Sequence, residues 1–231
     1  KRKPPVIIVH GWGLHGSLYT EFANYLKKEG FVVFSPDLPG FGSEPLRAVS
    51  LTLDDYVDFV HTFMKRNKIR KPILIGHSFG GRVAIKFAVN FPDKVYALVL
   101  TGTPGIRTKL SLYRRLIQYA VISMGELFRF KALSPLRQIL RKGLYFMIGE
   151  WDYYNAGDLR ETFKKVISED LSTYLVKIKV PTLIVWGEED RVVPLSVARE
   201  MKRIISHSKL IIIKNAGHKL PYENPNAFLR A

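Results

Sequence analysis

Ser78 stands in the run Gly76-His-Ser-Phe-Gly-Gly81, between a short apolar stretch and the start of a helical pattern. A Gly-x-Ser-x-Gly sequence in that setting is the pattern of a nucleophile elbow, a strand-to-helix turn too tight for Cβ atoms on either side of the serine. The turn lifts the hydroxyl clear of the backbone, at a helix N-terminus whose partial positive charge favours a developing anion. A serine hydroxyl is a weak nucleophile without a base, which directs attention to the histidines. There are six: His10, His15, His61, His77, His207 and His218. His61 falls on a solvated helix face, His77 points away from its neighbour Ser78 as a structural residue, and His10 anchors its own loop. His218, in Asn215-Ala-Gly-His-Lys219, directly follows the apolar run Leu210–Ile213 and is the best-placed base. An imidazole in that role needs a carboxylate to fix its tautomer and stabilise its protonated form. Glu188, Glu189 and Asp190 all follow the run Leu183–Gly187, and their spacing does not rank them. Asp37, in Pro36-Asp-Leu-Pro-Gly40, reads as a turn former. Oxyanion stabilisation requires inward-turned amides. His10-Gly-Trp-Gly13 and the elbow supply a natural pair, the N–H groups of Trp12 and Phe79, each worth about 3–4 kcal/mol to a transition state.

These residues need a frame that brings distant segments together. Val6–Val9, Val32–Ser35, Ile73–Gly76, Leu98–Thr101, Leu183–Gly187 and Leu210–Ile213 are strand-sized apolar runs, as expected of buried parallel strands. Helical patterns separate them: Leu53, Tyr56, Val57, Val60, Phe63 and Met64 recur at helical spacing, and Pro92 ends a second helix around Val83 and Phe87. Strand–helix alternation predicts an α/β fold with a doubly wound, mostly parallel sheet. Each candidate residue then follows a strand and lies at the sheet's carboxyl edge, where ligands of such sheets bind. The rhythm breaks between Pro104 and about Thr173, which holds only amphipathic helical stretches. The expected organisation is therefore a core of 1–103 and 174–231 with a helical cap, 104–173, inserted after the fourth strand and closing over the same edge.

Taken together, His10-Gly-Trp-Gly13, Pro36-Asp-Leu-Pro-Gly-Phe-Gly-Ser43, Gly76–Gly81, Pro181–Pro194 and Ala216-Gly-His218 through Pro225 resemble the α/β-hydrolase family. The resemblance spans the whole core and shares the family's chain order of Ser, Asp and His. It implies that Asp190 is the catalytic acid beside Ser78 and His218, and that Val192 and the Trp12 side chain lie near the acyl pocket. A serine at the elbow implies ester hydrolysis through an acyl-enzyme, with no metal or cofactor. Related thioester, perhydrolase and carbon–carbon cleaving activities share the same parts. Two departures concern the ends: no strand hairpin precedes the first motif, and only Pro225–Ala231 remains for a closing helix.

Bulk composition narrows the remaining classes. The 231 residues are 47% hydrophobic, enough for a sizeable core, and include no cysteine, which excludes disulfides and thiolate chemistry. No apolar run approaches the roughly 20 residues of a membrane span. With no signal-peptide pattern before the first strand, a cytoplasmic location is the default expectation. The net charge is +16, and the segment Arg107–Lys142 carries nine basic residues against Glu126 alone. Such an excess attracts anions or acidic partners. Apolar cap residues such as Tyr119, Phe128 and Phe146 could roof a pocket for small to medium apolar acyl or aryl esters. A cationic cap allows an alternative in which an acidic carrier protein presents the ester, as in the carrier-linked methyl ester esterase that the opening motifs also resemble. A slow, receptor-like hydrolase is the alternative from another class. Nucleic-acid binding has charge in its favour but no recognition motif.

Overall fold

The computed structural model describes residues 3–46, 48–106 and 156–231. Its strands are β1 (Val6–Val9), β2 (Val33–Phe34), β3 (Ile73–His77), β4 (Ala97–Thr101), β5 (Thr182–Gly187) and β6 (Ser208–Ile213). All pair in parallel, in the spatial order β2-β1-β3-β4-β5-β6. The chain runs outward from β1 to β2 and then returns to β3, so the direction of winding reverses between β1 and β3. In open α/β sheets that reversal opens a crevice at the carboxyl edge. Trp12 and Ser78 follow the two strands that flank it.

Around the sheet lie α1 (Thr20–Lys28), α2 (Leu53–Arg66), α3 (Phe79–Asn90), α4 (Arg160–Ser168), α5 (Ser172–Leu175), α6 (Leu195–Ile204), α7 (Leu220–Glu223) and α8 (Pro225–Leu229). Strand side chains alternate between two apolar cores. Ile7, Val9 and Leu74 join residues of α2, α3 and α6, whereas Val6, Ile8 and Ile75 join Phe22 and Leu26 of α1 and Phe228 of α8. Phe22 and Phe228 meet edge to face at 5.0 Å. Burying each ring contributes roughly 1.5–3 kcal/mol, which ties the short C-terminal helix to the sheet. Helix α2 starts at a capping box. Thr52 Oγ1 accepts from the Asp55 N–H, and Asp55 Oδ2 accepts from the Thr52 N–H at 2.7 Å. Its buried stripe is Leu53, Tyr56, Val57, Val60 and Met64; Phe63 is only partly covered.

The six expected strands all form, but the edges differ from the expectation of buried runs. The run Val32–Ser35 narrows to a two-residue strand, and Val32 is 47% exposed. Among the described residues only β1 pairs with β2, so β2 is an edge strand. At the opposite edge most of β6 is half-buried for the same reason.

Residues 107–155, including the basic stretch, Arg137, Arg141 and the apolar roof residues, lie outside the described residues. The limb returning to the core is described: a 3₁₀ turn (Gly157–Leu159) followed by α4 and α5. It rests on the carboxyl edge through Leu159 against Gly40, the Leu51 N–H donating to Thr162 Oγ1 at 2.9 Å, and Phe163 against Trp12. The segments on either side of residues 107–155 are both tied to α3. Arg82 donates to the carbonyls of Pro104 (2.7 Å) and Glu169, while Lys86 Nζ bridges Asp54 (2.8 Å) and Glu169 (2.6 Å). Burial lowers the Arg82 guanidinium to a pKa of about 10, where it still holds its charge at neutral pH.

Candidate active site

Ser78 has φ 52° and ψ −118°, a left-handed backbone that an L-residue tolerates only when its surroundings enforce it. They do. The Ser78 N–H donates to the Thr101 carbonyl at the end of β4 (2.9 Å), and the Gly81 N–H closes the turn onto the Ser78 carbonyl (3.0 Å). A Cβ on Gly80 would sit 2.0 Å from the Val9 carbonyl oxygen, so α3 can approach β1 this closely only with glycine there.

His218 lies in the loop after β6, and its Nδ1 is 2.8 Å from Asp190 Oδ2. A carboxylate only accepts, so Nδ1 carries the proton and the neutral ring leaves its Nε2 lone pair available. Asp190 is itself oriented. Its Oδ1 accepts from the Val192 and Val193 N–H groups at 2.9 and 2.8 Å, and the residue is buried, whereas Glu188 and Glu189 are exposed. The indole of Trp186, in β5, donates to the Val193 carbonyl (3.0 Å) and fixes that loop to the sheet. A Cβ on Gly102, directly after β4, would lie 2.8 Å from the His218 ring and 3.4 Å from Asp190 Oδ2. Thus the ends of β3, β4, β5 and β6 bring Ser78, His218 and Asp190 to one edge. Among the described residues, no hydrogen bond joins Ser78 Oγ to His218.

A second chain of bonds runs beneath these groups. His77 is wholly buried, and its Nε2–H donates to the His218 carbonyl (2.9 Å), so its Nδ1 must accept. The Tyr19 hydroxyl donates to that nitrogen at 2.7 Å and accepts a long bond, 3.4 Å, from the Gly11 N–H. Burial, with the nearby His218 ring, pushes the His77 pKa down to about 3, and burial raises that of Tyr19. The loop after β1 is thereby linked to the loop that carries His218. His10 is also a structural group: its Nδ1–H donates to the Gly11 carbonyl (2.8 Å) and its Nε2 accepts from the Leu38 N–H (2.9 Å). Asp37 accepts from the Gly16 N–H, the Ser43 N–H and the Ser43 hydroxyl, as a turn former does. Partial burial raises its pKa, but these bonds outweigh it and hold the carboxyl below its usual range. His61 lies within α2 and stacks on Phe91 at 4.5 Å.

The Phe79 amide is the first of α3, with no carbonyl one turn back to receive it. Around Trp12, the Gly11 and Leu14 amides are engaged, and no backbone bond from the Trp12 N–H occurs among the described residues. The Trp12 ring packs edge-on against Phe41 (4.9 Å), Phe79 (5.3 Å) and Phe163 (4.9 Å), an aromatic wall beside the elbow. Val192 contributes its amide to Asp190, and the residue is 61% exposed. Tyr19 and Gly102 have no sequence signal that marks them. Tyr19 lies on a 3₁₀ turn 58 residues from His77, and only the folded sheet brings the two together.

The whole core is shared with known proteins. A family model for the alpha/beta hydrolase family matches residues 6–231. A Bacillus subtilis protein, AB hydrolase superfamily protein YisY, is 30% identical over 95% of this chain and 86% of its own. Bovine monoacylglycerol lipase ABHD6 is 28% identical over 96% of this chain and 72% of its own. Among solved structures, a membrane phospholipase A described as a bacterial virulence factor superposes with a TM-score of 0.74. It is 25% identical and covers all of this chain and 78% of that one. With a family model matched from the first strand to the last residue, the chain belongs to the alpha/beta hydrolase family.

Proposed function

We propose that this hydrolase cleaves carboxylic esters through an acyl-enzyme intermediate, with Ser78 as nucleophile, His218 as general base and Asp190 as the orienting acid. The observation that carries the reading is the His218 Nδ1–Asp190 bond, which leaves Nε2 as the acceptor at the edge that bears the strained Ser78. The catalytic hydrogen bond from Ser78 Oγ to Nε2 forms once substrate is bound, since such bonds commonly tighten only in the complex. Ser78 Oγ attacks the ester carbonyl carbon as His218 Nε2 takes the hydroxyl proton. The carbonyl electron pair moves onto oxygen, where the Trp12 and Phe79 amides receive it. Collapse of that intermediate breaks the acyl carbon–oxygen bond, and His218 returns its proton to the departing alcohol. Water, deprotonated by His218, then releases the acid and restores Ser78.

The aromatic wall of Trp12, Phe41, Phe79 and Phe163 favours an apolar acyl group of small to medium length. The relative named as a monoacylglycerol lipase supports an acyl ester as the substrate class. The test is release of p-nitrophenol from acetate, butyrate and octanoate esters by the wild type and Ser78→Ala. The variant is expected to lose about 10⁶-fold in kcat with an unchanged melting temperature, by analogy with a serine triad of measured energetics. A Ser78→Ala enzyme that retains turnover within tenfold overturns the assignment.

A further inference from the structure

The sheet's amino edge, opposite the candidate active site, has its own chemistry. The segments entering β1, β2, β3, β4 and β5 carry Lys3, Lys68, Arg70, Lys71, Lys94 and Lys179, all exposed, against the acidic residues Glu29 and Asp93. The cations form one continuous surface. Three open clefts meet at Lys71: one also borders Lys68, Arg70 and Lys94, a second Lys3 and Tyr96, and a third Tyr96 and Lys179. Among the described residues, Lys68, Arg70 and Lys71 form no ion pair. Apolar side chains stand in the same surface, with Val32 47% and Tyr96 53% exposed.

Two of these lysines occupy backbone positions that disfavour them. Lys68 (φ 53°) and Lys71 (φ 48°) are left-handed, a conformation suited to glycine or asparagine. Lys68 closes α2: its N–H donates to the Lys65 carbonyl (3.2 Å), and the Ile69 N–H donates to that of Met64 (2.9 Å), at a turn where glycine is the usual residue. Cationic side chains thus stand at two positions whose backbone carries a conformational cost.

We infer that the amino edge of the sheet docks on an anionic lipid bilayer, with the lysine and arginine heads at the phosphate level and Tyr96 and Val32 against the interface. A bilayer fits better than a small anion or a nucleic acid. The clefts are open rather than enclosing, no row of aromatic rings among the described residues there offers a stacking platform, and an amphipathic tyrosine among cations suits a boundary between headgroups and acyl chains. Juxtaposed basic residues draw a surface to anionic headgroups additively, and salt weakens the attraction. Because the strands are parallel, docking through their amino ends leaves Ser78 and His218 facing away from the bilayer.

The test is co-sedimentation of the Ser78→Ala protein with phosphatidylcholine vesicles containing 30% phosphatidylserine, against phosphatidylcholine alone, at low and physiological salt. Binding is expected only to the anionic vesicles and weaker at higher salt. A triple variant, Lys68→Asn, Arg70→Gln and Lys71→Asn, is expected to lower partitioning about 100-fold. Asparagine tolerates the left-handed backbone, so the fold is retained. Removing three cations elsewhere (Lys164→Gln, Arg199→Gln and Lys214→Gln) is expected to change it by less than about tenfold. Equal losses in both triple variants, equal binding to neutral vesicles, or capture of polyuridylic acid without vesicle binding would each overturn the inference. Binding by the Ser78→Ala protein is independent of the hydrolytic mechanism, so failure here leaves the ester reading intact.

Discussion

Replacing His77 by glutamine isolates the buried link under the candidate site. In the native state His77 is neutral, with its pKa at about 3, whereas an unfolded histidine titrates near 6.5. Between those values the unfolded chain binds a proton that the folded chain refuses, so this residue's contribution is complete above pH 6.5 and falls away below it. At pH 4.5, two units below the unfolded value and still above the native one, the loss is about 3 kcal/mol. Glutamine can donate to the His218 carbonyl through its Nε2 but does not titrate. At pH 7.5 the variant should be about 1–3 kcal/mol less stable than wild type, from the altered buried bond to Tyr19. Urea unfolding at pH 7.5, 6.0 and 4.5 measures both proteins. The deficit should shrink as pH falls and approach zero, or reverse, at pH 4.5. A gap that stays constant across this range would refute a neutral His77 held between Tyr19 and the His218 carbonyl.

Three further outcomes follow from the same geometry. Asp190→Asn should reduce kcat by about 10⁴-fold with little change in stability, because the amide can no longer enforce the Nδ1–H tautomer of His218; steady-state kinetics with normal unfolding checks it. Gly102→Ala places a methyl 2.8 Å from the His218 ring at φ 54°. Ester turnover should fall at least tenfold while stability drops by about 1–2 kcal/mol, the cost of a left-handed alanine. Arg82→Met fills similar volume but leaves the Pro104 and Glu169 carbonyls without this donor, and urea unfolding should register a loss of about 1–3 kcal/mol.

Local pattern was enough for the strands, for the elbow and for the edge on which the reactive residue types lie. Each follows from neighbours in the chain: apolar runs that must bury both faces, glycines around Ser78, and loops that begin where strands stop. Pattern could not choose among Glu188, Glu189 and Asp190, since three adjacent acids share one spacing. The family resemblance singles out Asp190; what the pairing of β5 and β6 in register adds is its burial against His218, with the two glutamates left in water. Nor could pattern show that Val32 is exposed and most of β6 only half-buried, because whether an apolar run is central or marginal depends on the order of strands across the sheet. Tyr19 and Arg82 were silent for the same reason. Their partners lie 58 residues away in His77 and 22 and 87 residues away in Pro104 and Glu169. Residue type and local spacing set what each segment can become, whereas bonds between distant segments exist only after the sheet has fixed which loops are neighbours.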